Sequence, residues 1–568
     1  MTDFAGTPEK FRNGALAVVS TLHAHGVEMI FGIPGTHNLE FYRHLKTFGI
    51  RAVTPRHEQG AGYAADGYWQ VTGKPGVVIT TSGPGLTNVI TAAATAYAES
   101  RPMLVLSPGV PVGLERADAG LLHETKDASG AIEHLLLWSR RTRTAEGAAQ
   151  AVADAFATFR SGRPGPVHIE VPLDILEGSW SGSPAAQQQV SRPVANQDAV
   201  AAAAEALASA GRPLIVAGGG ACHASTEVTR LAETLDAPVV TTVNGKGVLD
   251  ELHPLSLGAN IRLRAIQDES AKCDVILVVG TELADSDLWG GRIGGEPDAP
   301  ARPLVIRCDI DPDQLHKNLP GKILGHGDAG EFLAAIQTRL TETHRSEPAG
   351  GESGSDAEHD AGNGPTGADV DRSAGGERAA KLREASYAEA EPDYPVAPAI
   401  CAAVRAAMND DAILTGDSSQ ITYLGSVHFF AARKPYQHLY MPGFATLGYG
   451  IPAAIGAKLG APDNQVVCLL GDGAAMFSIQ EIMTAVELEL AIPIVIIDNG
   501  GYREIQDQMD SREMEHVGVK LRRPDFAALG ESMGARGVRT TRVEDLTSLV
   551  SDALSCNGPT IITLDLTS

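Results

Sequence analysis

Gly471-Asp472-Gly473 follows an apolar run, and Asn499 comes 27 residues after Asp472, at the end of the next such run. A carboxylate, an amide oxygen and a nearby backbone carbonyl form a hard-oxygen set that suits Mg2+, with diphosphate oxygens and water completing the octahedron. At the carboxyl edge of a parallel sheet, the free N–H groups of a helix start would lie beside them. Alone, the triplet is equally compatible with a tight turn; the spacing and the strand context favour the metal. A second candidate is Glu58, in Arg56-His57-Glu58-Gln59-Gly60-Ala61-Gly62-Tyr63. An acid in the first turn of a helix is also stabilised by the macrodipole with no chemical role, so position alone does not decide its use.

The elements that must position these groups show an internal echo. Residues 76–107 run apolar strand, Gly-rich turn, helical stretch, Pro, apolar strand, and residues 466–499 repeat that order. Both halves close on a strand after a Gly-Pro, at Gly165-Pro166 and Gly558-Pro559. Apolar runs without polar alternation are what strands buried on both faces of a parallel sheet look like. Two related α/β domains, one at each end, follow. Pro213 to Gly218, Pro238 to Thr242, Val275 to Gly280 and Leu304 to Asp309 predict a third α/β pattern between them. The expected divisions are 1–190, 191–340, a flexible acidic linker over 341–391 rich in Gly, Ser, Asp and Glu, and 392–568.

At 568 residues the chain needs about three domains. No apolar run approaches the roughly 20 residues of a membrane helix, and the polar N-terminus has no signal-peptide pattern, so a cytoplasmic location is expected. Cys222, Cys273, Cys308, Cys401, Cys468 and Cys556 form no CxxC pair, which points to reduced packing thiols. A formal net charge of -25 argues against nucleic acid or an anionic membrane as partner. An anionic ligand must then be held by a metal or by backbone N–H groups. The chain ends a few residues after its last predicted strand, so no long C-terminal lid is expected.

These segments resemble the thiamine-diphosphate enzyme family that includes acetolactate synthase, benzoylformate decarboxylase and pyruvate decarboxylase. The resemblance covers nearly the whole chain outside the linker. It implies two related cofactor-binding domains around a central α/β domain, with Mg2+ held by Asp472, Asn499 and the carbonyl of Gly501. Asp498 stands where the family pattern usually has the first Asn of a pair. The resemblance makes Glu58 the residue that shares a proton with pyrimidine N1′ of the cofactor, favouring the tautomer that can deprotonate C2 of the thiazolium. Burial beside an apolar ring raises the pKa of such a group. Thr81-Ser82-Gly83-Pro84-Gly85 is similar to the family's Gly-rich turn. Leu447 and Ala445, in Pro442-Gly443-Phe444-Ala445-Thr446-Leu447-Gly448-Tyr449-Gly450, map to the apolar wedge under the bent cofactor and to the carbonyl that accepts from its 4′-amino group; Leu447 is also compatible with ordinary core. Pro34, Ser419, Gln420, Gly471, Gly473, Ala474 and Tyr502 complete the implied cofactor contacts. Glu58 and the Mg2+ site come from different subunits in this family, which implies at least a homodimer, or a dimer of dimers, with the active site at the subunit interface.

The small-molecule partner is expected to be a 2-oxo acid. Where acetolactate synthases carry an Arg-rich segment that helps hold FAD, this chain has Gly280-Thr281-Glu282-Leu283-Ala284-Asp285-Ser286-Asp287-Leu288-Trp289, which argues against FAD. That segment, Phe31 to Glu40 and Asn499 to Ile505 resemble the 5-guanidino-2-oxopentanoate decarboxylase subgroup. Glu504, with Gln508 at i+4 on the same face, would pair with a guanidinium tail; the alternative is a solvated face of Glu504, Asp507 and Asp510. His37, Asn38 and His123 are candidate polar contacts near the thiazolium, with a structural role as the alternative for each. The leading expectation is nonoxidative decarboxylation to an aldehyde; the second is an acetolactate synthase-type carboligase. A binding protein on a degenerate site is opposed by intact Glu58, Asp472 and Asn499. A dehydrogenase has only Gly218-Gly219-Gly220 in its favour.

Overall fold

The computed structural model describes residues 8–346 and 374–567. The chain divides into two units. The first joins the chain up to Ser191 with Tyr394–Phe430 and the chain from Tyr436 onward; the second is Arg192–Asp393 with Ala431–Pro435.

The first unit holds two six-stranded parallel sheets. The N-terminal one contains β1 (Met29–Gly32), β2 (Arg51–Val53), β3 (Gly76–Ile79), β4 (Met103–Gly109), β5 (Trp138–Arg141) and β6 (Pro166–Pro172), in the order β2-β1-β3-β4-β6-β5. The second unit has a five-stranded parallel sheet of β7 (Pro213–Ala217), β8 (Val239–Thr241), β9 (Val275–Val279), β10 (Leu304–Asp309) and β11 (Ile323–His326), ordered β11-β10-β9-β7-β8. The C-terminal sheet contains β12 (Ile413–Gly416), β13 (His438–Leu439), β14 (Val466–Gly471), β15 (Pro493–Asp498), β16 (Arg536–Thr540) and β17 (Thr560–Asp565), ordered β13-β12-β14-β15-β17-β16. Counted within its own domain, each outer sheet has the same strand order, so the sequence echo is one topology used twice. The central strands β4, β6, β14, β15 and β17 are buried along their whole length. Their β-branched and Leu side chains pack helices on both faces. Among the described residues, no helix is long and apolar enough to cross a membrane.

The expected linker does not hold over its last part. Gly375–Ala390 is a helix against the five-stranded sheet's domain, while residues 347–373 lie outside the described residues. Few of its side chains are apolar and buried. It is fastened instead by polar bonds to backbone: Asp236 accepts from the Gly375 N–H (2.6 Å), Arg383 donates to the carbonyls of Pro254 and Ser256 (2.7 Å each), and Glu389 accepts from the N–H groups of Arg264 (2.8 Å) and Ala265 (3.0 Å).

In the first unit, helix Glu58–Thr72 crosses helix Gly450–Gly460 at backbone contact. A Cβ at Gly67 would overlap the Ala453 carbonyl, and one at Gly456 would overlap that of Ala64; only glycine allows this approach. Beside the crossing, Asp66 Oδ2 accepts from Arg101 (2.7 Å), Tyr449 (2.6 Å) and Gln70 (2.9 Å), all buried. Arg101 also donates to the Tyr440 carbonyl (2.6 Å), so a charged pair from the N-terminal domain is closed by groups of the C-terminal one.

Two outcomes follow. Arg101→Ala removes the buried partner of Asp66, and is expected to cost about 3 to 5 kcal/mol, read as a lowered denaturation midpoint. His168, fully buried between Ser107 and Ser139 hydroxyls (2.8 Å each), has its pKa pushed down by desolvation to about 3. The unfolded imidazole takes up its proton near the ordinary 6.5, so the stability His168 contributes is full above pH 6.5 and is lost as pH falls toward 3. Unfolding measured against pH should show a shallower acid-side decline in His168→Gln than in wild type.

Candidate active site

Glu58 opens helix Glu58–Thr72 at a point fixed from both sides. His57 is the N-cap, its Nδ1 accepting from the Gln59 N–H (3.1 Å). The Arg56 N–H donates to both oxygens of Glu481 (3.1 Å each), a fully buried carboxylate of the C-terminal domain. Burial pushes the Glu481 carboxyl above its ordinary range, against hydrogen bonds from Thr484 and from the Arg56 and His57 backbone. The Glu58 side chain is buried and accepts from Asn88 Nδ2 (3.0 Å). Asn88 lies on helix Pro84–Ala98, which begins at the Gly-rich turn, where Gly83 has φ +59° and a Cβ on Gly85 would sit 3.3 Å from Glu58 Oε1.

The other N-terminal candidates gather at the same sheet edge. His37 Nδ1 lies 2.6 Å from the Ser82 hydroxyl, which is 3.4 Å from His123 Nδ1, and the two imidazoles are 5.3 Å apart. Desolvation and then the neighbouring His123 hold the His37 pKa below its usual value. Asn38 takes a structural part: its Oδ1 accepts from Gly35 N–H (2.8 Å) and its Nδ2 donates to the Ile33 carbonyl (3.0 Å), clamping the loop that carries exposed Pro34.

In the C-terminal domain, Gly471 ends β14 and Asp472 begins the short helix Asp472–Ala475 with Gly473 and Ala474. Asp472 Oδ2 accepts from the Gly501 N–H (2.7 Å), while the buried Oδ1 has no hydrogen-bond partner. Desolvation raises the Asp472 carboxyl to about 6, with the Asp498 charge adding to the rise. A buried anionic oxygen left unpaired is costly unless a cation meets it, and Asn499 and the Gly501 loop stand beside it. These donors fit Mg2+. Asp498, the departure from the expected Asn, forms an ion pair with Arg523 (2.5 Å), so its charge has its own partner. Tyr502 lies where a Cβ on Gly473 would meet its ring at 2.9 Å. Asn499 Nδ2 donates to Gln420 Oε1 (3.2 Å), joining the 417–420 loop to the same edge, and Ser419 Cβ lies 3.1 Å from a Cβ built on Gly471.

Ala445 has φ +51°, a left-handed conformation that costs a non-glycine residue roughly 1 kcal/mol or more and persists only where neighbours hold it. Glu99 accepts from the Gly443 N–H (2.7 Å) on one side of it. On the other, fully buried Asp417 accepts from Gly448 (3.1 Å) and Gly450 (2.8 Å), its carboxyl pushed up by burial to about 6. Leu447, between them, is half-buried. Sequence reasoning missed Asn88, Glu481 and Asp417; of these only Asp417 had a signal, as the carboxylate directly after β12.

Two α/β sheets of one strand order thus present a buried acid, Glu58, on one edge and the oxygen-rich Asp472 to Gly501 set on the other. Residues 12–131, 200–336 and 418–564 match the N-terminal TPP binding, central and C-terminal TPP binding domains of thiamine pyrophosphate enzymes. The chain belongs to that family, and thiamine diphosphate is its cofactor. It is 38% identical, over 98% of its own length and 94% of the relative's, to a probable 2-ketoarginine decarboxylase, AruI, of Pseudomonas aeruginosa. It is 31% identical, over 97% and 91%, to a probable acetolactate synthase large subunit of Methanocaldococcus jannaschii. Isozyme 2 of the Escherichia coli acetolactate synthase large subunit is 30% identical over 97% and 95%.

Asp472→Ala should weaken metal-dependent retention of thiamine diphosphate by about 100-fold. Equilibrium binding with and without Mg2+ checks this; unchanged retention would remove Asp472 from the metal site.

Proposed function

We propose that the protein is a thiamine-diphosphate- and Mg2+-dependent nonoxidative decarboxylase of a 2-oxo acid with a cationic tail, 5-guanidino-2-oxopentanoate. The carrying observation is the carboxylate of Glu504. It opens helix Arg503–Ser511, directly after the Gly501 loop, and three neutral donors hold it: Tyr423 hydroxyl (3.0 Å) and Gln420 Nε2 (3.2 Å) on Oε2, and Gln508 Nε2 (2.9 Å) on Oε1. Burial, then the Glu504 charge, raises the Tyr423 pKa, so the phenol stays a donor. A fixed carboxylate that has no ion pair among the described residues is suited to a bidentate guanidinium. Asp507 accepts from Gln420 (2.9 Å) and is ion-paired with Arg503 (2.8 Å), so its charge has its own partner.

When bound, thiamine diphosphate supplies a carbon nucleophile for the 2-oxo group and a sink for the electrons left by CO2. The chain's own residues do the rest. Glu58, oriented by Asn88, would exchange a proton with the cofactor's N1′; the Ala445 carbonyl would accept from its 4′-amino group; Leu447 would bend it; Asp472, Asn499 and Gly501 would hold Mg2+ on the diphosphate. His37 and His123, bridged by Ser82, are the groups available to move a proton near the reacting carbon.

The proposed active site is completed by a second copy of the chain. Phe444, Met476 and Phe477 are about half exposed around the Leu447 turn, apolar surface suited to burial by that copy. FAD is not part of the proposal: Glu282, in the segment where an Arg would be needed, pairs with Lys317 (2.7 Å).

Holoenzyme should release CO2 and an aldehyde from 5-guanidino-2-oxopentanoate in preference to pyruvate, without added FAD. Acetolactate from pyruvate would instead make it a carboligase. Glu504→Gln should raise KM for the guanidino acid by about tenfold or more while sparing uncharged 2-oxo acids. Glu58→Gln should retain cofactor and lose turnover; full activity would exclude Glu58 from the mechanism.

A further inference from the structure

A cavity of about 360 Å³ opens in the N-terminal domain, and most of its lining has no role assigned so far. It lies at the carboxyl ends of β4, β5 and β6, beneath the loop that follows β4, and its wall includes Ser82, Gly83 and His123. It therefore adjoins the edge that carries Glu58.

Its charges are unusual for a chain with a net charge of -25: Arg116, Lys126, Arg141 and Arg143 face it, against three carboxylates. The carboxylates are committed. Arg141 bonds Glu170 and Glu115 and donates to the Val110 carbonyl (2.5 Å), and Arg116 bonds Asp127. Among the described residues, Lys126 and Arg143 make no ion pair. The wall thus carries one surplus positive charge, and its two cations outside ion pairs, Lys126 and Arg143, stand at its solvent-exposed rim. His123 adds a second feature, since its left-handed φ of +60° is costly for a non-glycine residue and its ring lines the cavity beside Ser82, Nδ1 lying 3.4 Å from the Ser82 hydroxyl.

We propose that this cavity is a subsite for a small monocarboxylate anion, held by Arg143 and Lys126. One negative charge neutralises the wall, and a guanidinium can take both carboxylate oxygens. A phosphate dianion would overshoot the surplus and face Glu115, Asp127 and Glu170 at close range. The carboxylate can belong to incoming 2-oxo acid or to a separate effector, and the chemistry of the site is the same for both. The inference does not depend on the decarboxylase reading.

The test uses the full-length chain freed of cofactor, titrated calorimetrically at low salt with pentanoate and with inorganic phosphate. Pentanoate should bind once per chain and more tightly than phosphate, and both Arg143→Ala and Lys126→Ala should weaken it about tenfold. No pentanoate binding, binding indifferent to both substitutions, or tighter binding of phosphate would overturn the proposal. Steady-state kinetics of the holoenzyme then separate the sources. A raised KM for the 2-oxo acid in Arg143→Ala identifies substrate; an unchanged KM with weakened pentanoate binding identifies an effector. Failure to turn over any 2-oxo acid would count against the proposed activity and leave the titration valid.

Discussion

Backbone contact between helices Glu58–Thr72 and Gly450–Gly460 is the constraint on which the rest depends. The first helix begins with the acid, and the second begins just after the Ala445 to Leu447 turn. Gly67 and Gly456 let the two pass with carbonyl oxygens where side chains would otherwise stand. A larger residue at either position would push apart the helix starts, and with them the groups they carry. The buried Asp66, Arg101 and Tyr449 cluster locks the crossing laterally, and Glu481 fixes its end by accepting from the Arg56 backbone. Polar groups are used here for direction: apolar packing would hold the helices together, but hydrogen bonds to defined atoms also set their register.

The same division appears at the C-terminal sheet edge. Strands buried on both faces supply a rigid platform, and the groups that would meet cofactor sit on short turns fastened to it. Asp417 holds one turn through two glycine N–H groups, and Asp472 holds the 499–501 loop through Gly501 while keeping its second oxygen unpaired. Glu504 continues the pattern outward, where its hydrogen bonds fix its orientation.

The sheets were legible in the sequence because buried parallel strands are written as unbroken apolar runs, and the repeated motif order foretold the repeated strand order. The Gly471 to Gly473 motif and Asn499 were legible because a turn and a fixed spacing survive in one dimension. Asn88 was not: it reaches Glu58 across helices 30 residues apart in the chain, and an Asn on a helix face has no motif. Asp66 and Tyr449 are separated by 383 residues, a pairing that only the fold creates. The helix Gly375–Ala390 was hidden for a different reason. Its composition lacks the apolar stripe that marks a packed helix, since charged side chains bonded to neighbouring backbone hold it in place.

The Asp498 and Arg523 pair carries a consequence for how this sequence could have diverged. Asn at 498 would deprive Arg523 of its counter-charge, and loss of Arg523 would leave two carboxylates, Asp498 and Asp472, facing each other across buried space. Arg523 is solvent-exposed, so losing its counter-charge costs little, whereas losing Arg523 burdens two buried carboxylates; the two positions are unequally coupled. A lineage passing between an Asp and an Asn before Asn499 therefore has an open order of change: position 498 first, Arg523 second.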